Sequence, residues 1–394
     1  MKKIMTVLTI GAAVAMLALP VSANTLSIET QDACTDAAKA EHYKVFRETL
    51  KTDQPKAYEA AKKYLGCPAP ATPTESDTKI IEYLQRFTKA YEEVKRKNDL
   101  TDALYNKKDY ETAFKLGREI FAVEPEYVKG IIDLGANGYL VVQLKNDQVT
   151  GEAIQYARKA LQLLEGGKTL EDWGPLQNKD VATAYLNYTI GSLTVEKDPS
   201  GALKHLLKAA QFETPLKKAA VTYALIAGAY ETGPYAKQSE AYKIFLDKDE
   251  TPESKLALAN INQLVDRMID AYARAVALAG ADTKLAAQKT AWNESLLQWY
   301  KFRNNKSDAG LTEMVAGILS KPLPPEPTPL TSLPATPAST PAGTSGGATP
   351  TNGTGNGTGN GAASTAPATK PAATPTPATA NTKPANDKPN KPRQ

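Results

Sequence analysis

A helical pattern that recurs along the chain constrains its fold more than any other feature. The clearest copy occupies residues 108–125. A polar turn ends near Asp109, Tyr110 and Ala113 then begin an amphipathic pattern, and Pro125 ends it. Apolar residues three and four positions apart share one face of a helix, and a small residue such as Ala113 lets a second helix approach closely. The pattern therefore predicts the second helix of a helix–turn–helix pair.

Similar but less regular copies precede and follow this one. The alanines that mark the second helix of each pair are Ala57, Ala113, Ala153, Ala202 and Ala241. The intervals between these alanines vary, so we expect linkers of different lengths. The sequence between the ends of the chain is rich in Ala, Leu, Lys, Glu and Tyr, which is the composition of helical proteins.

Residues 98–125 resemble a tetratricopeptide repeat, a unit of about 34 residues with small residues where its two helices cross. The residues that match the spacing of that family are Leu100, Leu104, Ala113, Ile120 and Pro125. The resemblance implies an all-α fold, in which antiparallel helix pairs over residues 77–250 stack into an α-solenoid. Because the period is not strict, an irregular α-solenoid and a single closed helical bundle remain alternatives.

The beginning of the chain has the three parts of a secretory signal peptide. Lys2 and Lys3 are basic, residues 4–19 are apolar, and small residues precede a cleavage position after Ala23. The apolar run is shorter than the roughly 20 residues that a membrane-spanning helix needs. We therefore expect residues 1–23 to be removed, and the mature protein to be exported to the periplasm or secreted, with no transmembrane segment.

The chain contains two cysteines, Cys34 and Cys67. An even number of cysteines in an exported protein predicts a disulfide. Residues 33–50 and 57–65 have helical patterns, and the turn between them contains Asp53 and Pro55. An antiparallel hairpin would bring the start of its first helix beside the end of its second, so we predict a hairpin over residues 24–67 that a Cys34–Cys67 disulfide clamps.

The helix-pair pattern fades near the end of the globular part, and longer helical patterns predict a C-terminal cap over residues 251–321. Trp292 and Trp299 share a face there; packing in the cap is the favoured interpretation, and an aromatic ligand platform is the alternative. Residues 322–394 hold 16 of the 27 prolines. This Pro/Thr/Ala/Gly-rich composition predicts a disordered tail, either a tether that contacts cell wall or glycan or a solubilising segment.

Motifs for catalysis, cofactors and metals are missing from the sequence. The two histidines, His42 and His205, do not begin a metal-binding motif, and the sequence has neither a phosphate-binding loop nor a nucleophile elbow. The formal charge of +4 falls to +2 when Lys2 and Lys3 leave with the signal peptide, which argues against nucleic-acid binding. We therefore predict no catalytic, cofactor-binding or metal-binding residues.

These features predict a helical-repeat scaffold that binds a protein or peptide in the cell envelope and has no catalytic activity of its own. Its resemblance to the repeat family implies that the first helix of each pair lines a groove. The candidate groove residues are Asn98, Asp102, Tyr185, Tyr188, Ser192 and Glu231. Tyr185 and Tyr188 are also plausible as core residues. The alternatives are a glycan- or cell-wall-binding envelope protein and an enzyme that carries a helical-repeat domain.

Overall fold

Alanine-rich amphipathic segments with polar N-caps account for the regular structure of this protein. The computed structural model describes residues 34–70 and 72–333. This part of the chain contains thirteen α-helices, and its other regular elements are short π-helical and 3₁₀ segments. The all-α class is thus confirmed for the described residues. The predicted signal peptide and residues 334–394 of the predicted tail lie outside them.

The chain divides into two compact units, Met1–Asn98 and Asp99–Gln394. This boundary falls inside the stretch 77–250 that the sequence predicts as one set of repeats. The helices that form unit 1 are α1 (Asp36–Thr49), α2 (Gln54–Leu65) and α3 (Glu75–Thr101), the last of which continues three residues beyond the boundary.

Unit 1 contains the predicted disulfide-clamped hairpin. The Asp53 carboxylate accepts a hydrogen bond from the Lys56 backbone N–H and begins α2. The disulfide Cys34–Cys67 joins the two ends of the hairpin, with 5.3 Å between the Cα atoms. Phe46 and Leu84 are fully buried in the core between the three helices. The bridge is therefore confirmed, and α1 and α2 pack on each other as a hairpin; residues 24–33 of the predicted range lie outside the described residues.

Unit 2 contains ten α-helices among its described residues. They are α4 (Tyr110–Val123), α5 (Val128–Ala136), α6 (Asp147–Glu165), α7 (Lys179–Thr194), α8 (Pro199–Ala209), α9 (Ala220–Tyr230), α10 (Ala236–Tyr242), α11 (Pro252–Ala279), α12 (Ala286–Arg303) and α13 (Leu311–Gly317). Two π-helical turns, Asp102–Lys107 and Glu231–Tyr235, and six short 3₁₀ segments complete the described helical elements.

Several helices of unit 2 pack on their neighbours in chain order, α5 on α6, α6 on α7 and α7 on α8, whereas α9 packs on α11, past α10. Small residues occupy the crossings. Ala153, Ala157 and Ala160 are fully buried along α6, as the sequence pattern predicts. A Cβ atom added to Gly135 of α5 would lie 2.8 Å from the Ala157 Cα atom. The backbones of α5 and α6 are therefore as close as glycine and alanine allow.

The fourth predicted helix pair differs from the expectation. Instead of a turn, the π-helical segment Glu231–Tyr235 joins α9 to α10, and Pro234 lies inside it. Because α10 then buries none of its residues, the marker alanine Ala241 is exposed. Among the described residues, no helix is both long and apolar enough to cross a membrane.

Loss of the Cys34–Cys67 disulfide should destabilise unit 1. The bridge closes a loop between residues 33 positions apart, which corresponds to about 3–4 kcal/mol of chain entropy in the unfolded state. We expect the variant Cys34→Ser/Cys67→Ser to lower the opening free energy of α1 and α2, measured by native-state hydrogen exchange, by about this amount. A reductant should lower this opening free energy in the wild type and leave it unchanged in the variant. Equal protection of α1 and α2 in the oxidised wild type and in the variant would contradict the prediction.

The close crossing of α5 and α6 should not tolerate a methyl group. The variant Gly135→Ala should lower the free energy of unfolding in urea by about 1–3 kcal/mol, because its Cβ atom meets backbone atoms that cannot move independently.

Gly228 of α9 provides the matched control, since no heavy atom lies within 4 Å of a Cβ atom built there. Gly228→Ala should be neutral or stabilise by up to about 1 kcal/mol through helix propensity. If the two alanine variants had equal stability, close packing at Gly135 would not be the constraint.

Candidate functional site

Three polar side chains form a regular row along α11. Asn260, Arg267 and Arg274 follow one another at intervals of seven residues, which is close to two helical turns, so they lie on one face of the helix. Most other inward positions of α11 are apolar and buried, among them Leu264, Met268 and Ile269. We call Asn260, Arg267 and Arg274 the polar row.

The polar row holds an extended proline-rich stretch, residues 321–330, which we call the docked segment. The Arg274 Nη2 atom donates to the carbonyls of Lys321 and Pro322 at 3.0 and 2.9 Å. Arg267 Nε donates to the Pro325 carbonyl at 2.7 Å. Asn260 binds Leu330 twice, because its Nδ2 atom donates to the Leu330 carbonyl at 3.1 Å and its Oδ1 atom accepts from the Leu330 N–H at 2.7 Å.

Proline explains why this stretch presents its carbonyls to another helix. Five of the ten residues 321–330 are proline, and proline fixes φ near the extended range and has no N–H to donate. The segment therefore cannot satisfy its own carbonyls in a helix or turn. Side-chain N–H donors at fixed positions supply the partners that water would otherwise provide.

The spacing of the polar row matches an extended chain that runs antiparallel to α11. The fourteen residue steps from Asn260 to Arg274 span about 21 Å of helix. The eight steps from Pro322 to Leu330 span about 25 Å in polyproline II geometry. Leu323, Pro324, Pro327 and Leu330 are partly buried, while the residues between them are exposed. The three-residue interval from 324 to 330 is the period of a polyproline II helix.

Arg274 is the buried anchor of the row. Its side chain is only 4% exposed, and the Asp270 carboxylate accepts from its Nε atom at 2.7 Å. The guanidinium also lies over the Tyr223 ring, 5.9 Å from its centroid. These contacts fix the direction of Nη2, so the guanidinium is oriented toward the docked segment by its surroundings.

A buried hydroxyl without a partner lies near this segment. Tyr230 is 1% exposed, and its hydroxyl has no hydrogen bond within the described part of the chain. Burial raises the pKa of Tyr230, the negative charge of Glu326 raises it further, and the positive charge of Arg267 lowers it. The hydroxyl is thus neutral and lies within electrostatic reach of both the row and the segment.

Two cavities flank Glu326 of the docked segment. One, of about 410 Å³, is lined by Ser200, Leu203, Lys204, Pro234, Lys237, Gln238, Ala241 and Glu326. The other, of about 270 Å³, is lined by Lys204, Leu207, Lys208, Gln211, Leu323, Pro324, Pro325 and Glu326. We call these cavity linings together with the polar row the strap groove, a surface of apolar and polar residues that includes three lysines.

The candidate groove residues from the sequence lie elsewhere. Asn98 is exposed at the end of unit 1, whereas Asp102 forms an ion pair of 2.8 Å with Lys107. That lysine, through its hydrogen bond, lowers the pKa of Asp102. Ser192 donates to the Thr189 carbonyl within α7. The hydrogen bonds and cavity linings of the strap groove involve none of these residues.

Tyr185 and Tyr188 belong to a packed aromatic cluster. Tyr139 stacks on Tyr185 at 5.9 Å and meets Tyr188 edge-on at 5.2 Å between ring centroids. Tyr188 is buried and Tyr185 is partly buried against the same core. Their packing agrees with the core interpretation that the sequence leaves open.

Glu231, the last candidate, is partly buried among neutral aromatic groups. The Tyr272 hydroxyl donates to its carboxylate at 2.8 Å. Burial raises the pKa of Glu231 against the lowering effect of hydrogen bonds from Tyr272 and Trp299. Trp299 is 3% exposed and lies edge-on to Tyr235, and Trp292 packs against the same cluster. The favoured interpretation of these tryptophans as packed residues agrees with this burial.

Asp133 and His205 have structural partners, whereas the buried hydroxyls of Thr214 and Thr222, like that of Tyr230, have none within the described residues. Asp133 accepts from Lys129 Nζ and from the Tyr105 hydroxyl, both at 2.9 Å, and burial raises its pKa. The ring of His205 hydrogen-bonds Asn187 through Nδ1 at 2.9 Å, and burial lowers its pKa. Within residues 34–70 and 72–333, no group of three His, Cys, Asp or Glu side chains is arranged to hold a metal ion.

The polar row and the docked segment were missed from sequence because they lie outside the predicted repeats over residues 77–250; the cavity-lining residues of α8 and α10 lie within those repeats but were not predicted to line a groove. One signal was present: polar residues at intervals of seven interrupt an apolar helix that is followed by a proline-rich stretch. For residues 322–333, the structure differs from the predicted disordered tail, since α11 supplies the contacts that the segment cannot make with itself.

Comparison of the chain with protein-family models found no match, and comparisons with curated proteins and with solved structures found none either. The strap groove is therefore the basis on which we propose a function.

Removal of the amide of Asn260 should release the end of the docked segment. In the variant Asn260→Leu, both hydrogen bonds to Leu330 are lost while the side-chain volume is kept. We expect the Leu330 amide to exchange with solvent at least about tenfold faster, measured by NMR, because each lost bond removes about 1 kcal/mol. Asn260→Asp, which keeps the acceptor, should have an intermediate effect; unchanged exchange in Asn260→Leu would show that this contact does not hold the segment.

Glu231 should make stability depend on pH. Its folded-state pKa is raised, so its contribution to stability is complete below the pKa of the unfolded state and is lost as pH rises through the folded pKa. The free energy of unfolding of Glu231→Gln relative to the wild type, measured by urea denaturation, should therefore be higher at pH 7 than at pH 4.

The control is Glu213→Gln. Its ion pair with Lys217 lowers the pKa of exposed Glu213, so the contribution of Glu213 to stability is present above the unfolded pKa and lost as pH falls. The free energy of unfolding of Glu213→Gln relative to the wild type should therefore be equal at the two pH values or lower at pH 7 than at pH 4. A Glu231→Gln variant whose stability follows the wild type at both pH values would contradict the assignment.

Proposed function

We propose that this protein is an exported helical-repeat scaffold that binds extended polypeptide segments in the cell envelope, and that the strap groove is its binding site. One observation carries the proposal: the polar row binds the docked segment through main-chain carbonyls. Contacts to the main chain do not require one particular side chain, so a segment of another protein with the same extended backbone can make them.

The chemistry of the groove fits this role. A preformed extended chain loses little conformational entropy when it binds, because its prolines already restrict φ. Arg274 is held in place by Asp270 and Tyr223 before any ligand arrives. Partly buried Pro324 and Pro327 mark the positions at which a ligand would place apolar side chains against the protein.

Export is supported by the disulfide. The bond Cys34–Cys67 would be maintained in an oxidising compartment, and the signal-peptide pattern of residues 1–23 supplies the route. The α-solenoid over residues 77–250 forms part of the same proposal, supported by the packing of consecutive helices α5 to α8. The scaffold supplies a binding surface and no catalytic step.

The burial of the aromatic residues favours a peptide-binding role over a glycan-binding role. Sugar platforms need exposed aromatic faces, whereas Trp299 is buried and Trp292 packs against the same core. A role of the tail in contacting the cell wall is compatible with the scaffold, because it would use residues beyond the strap groove.

A peptide added in trans tests the proposal. The undocked variant Pro324→Ser/Pro327→Ser/Leu330→Ser removes the inward side chains of the docked segment and changes no residue of α8, α10 or the polar row. A fluorescent peptide with the sequence of residues 321–333 should bind this variant at least about tenfold more tightly than the wild type, because the segment of the wild type competes in cis. Binding is measured by fluorescence anisotropy with the otherwise complete chain.

The matched control variant, Pro322→Ser/Pro325→Ser/Pro329→Ser, also changes three residues of the segment, all of them prolines at exposed positions, and should resemble the wild type more closely. A second undocked variant that ends at Ser320 guards against an effect of the substitutions themselves. If neither undocked variant binds the peptide while both keep wild-type helicity, the strap groove is not a peptide-binding site.

A further inference from the structure

We infer that the ligand of the strap groove is a proline-rich segment of another protein that carries more negative charge than residues 321–330, with acidic side chains next to the position of Glu326. This inference rests on the proposed function and specifies its ligand. The docked segment is then a built-in competitor that this ligand displaces.

The charges around Glu326 are unbalanced. Lys204, Lys208 and Lys237 line the two cavities, and Glu326 is the one acidic residue among the described residues that line them. All three lysines are exposed. Within the described residues, none of them lies within ion-pair distance of a carboxylate; Lys208 instead contacts the Phe212 ring at 5.6 Å. The groove thus has an excess of cationic groups that the docked segment does not neutralise.

Two helices carry these lysines. Lys204 and Lys208 are four residues apart on α8 and share one face, whereas Lys237 is the second residue of α10 and lines the larger cavity. Lys204 lines both cavities. A ligand with a carboxylate before and another after the position of Glu326 would place one near each group of lysines. Ion pairs of this kind contribute more to the specificity and to the rate of association than to the affinity.

The size of the site also favours a larger ligand than the docked segment. The cavities of about 410 and 270 Å³ lie beside Glu326 while the segment is bound. A ligand with additional side chains at this position would fill the two cavities.

Three peptides separate charge from shape. The first has the sequence of residues 321–333, the second carries Glu326→Gln, and the third carries Thr328→Glu, which adds a carboxylate at an exposed position of the segment. With the undocked variant, we expect the Thr328→Glu peptide to bind about tenfold more tightly than the first, and the Glu326→Gln peptide several-fold more weakly. The differences should shrink as salt is added, because exposed charges are screened.

Lysine variants identify where the charge acts. In the background of the undocked variant, Lys204→Gln/Lys208→Gln/Lys237→Gln should remove the preference among the peptides. Lys115→Gln/Lys168→Gln/Lys284→Gln, which changes the same number of exposed lysines outside the groove linings, should keep it. An anionic polysaccharide is added as a competitor in a separate arm and should not displace the acidic peptide at equal charge concentration.

The outcomes separate the two proposals. If all three peptides bind the undocked variant with equal affinity, the acidic ligand is overturned while the peptide-binding function stands. The same conclusion follows if the polysaccharide competes as well as the acidic peptide, or if both lysine variants behave alike. If no peptide binds, the proposed function itself fails.

Discussion

The proposed binding site depends on the hydrogen bonds that the polar row makes with the docked segment, a stretch with few N–H donors of its own. Prolines prevent residues 321–330 from forming a helix, so their carbonyls need donors from elsewhere. Arg274, Arg267 and Asn260 provide those donors at the interval that an extended chain requires. A helix that presents side chains every two turns can bind any extended backbone of the same rise, which makes α11 a template for a polypeptide ligand.

The rest of unit 2 supports this template. Close crossings such as that of Gly135 and Ala157 bring consecutive helices together, and the core around α9, α11 and α12 holds α11 in place. Asp270 and Tyr223 fix the Arg274 guanidinium. The lysines of α8 and α10 then surround the site with positive charge. Rigidity and charge are thus built by different elements, and each can be changed without the other.

The sequence predicted the parts of this structure that follow from local rules. The Cys34–Cys67 bridge follows from compartment and hairpin geometry, and the buried alanines of α6 follow from helical periodicity. The role of residues 322–330 does not, because composition measures only what a segment can bury by itself and ignores a groove on another helix. Ala241 was misplaced because the π-helical segment Glu231–Tyr235 joins α9 to α10, which buries none of its residues. The candidate groove residues were taken from a resemblance that covers residues 34–250, whereas the polar row and the docked segment lie beyond it.

Displacement of the docked segment by a free ligand is the most direct measure of the central claim. Amide exchange of Leu330 in the wild-type protein would be followed by NMR while the acidic peptide with Thr328→Glu is added. We expect the protection that Asn260 gives to the Leu330 amide to disappear over the same range of peptide concentration in which the peptide binds. If the peptide binds while the Leu330 amide stays protected, or if no binding is seen even at high peptide concentration, the claim that the strap groove receives a ligand is contradicted.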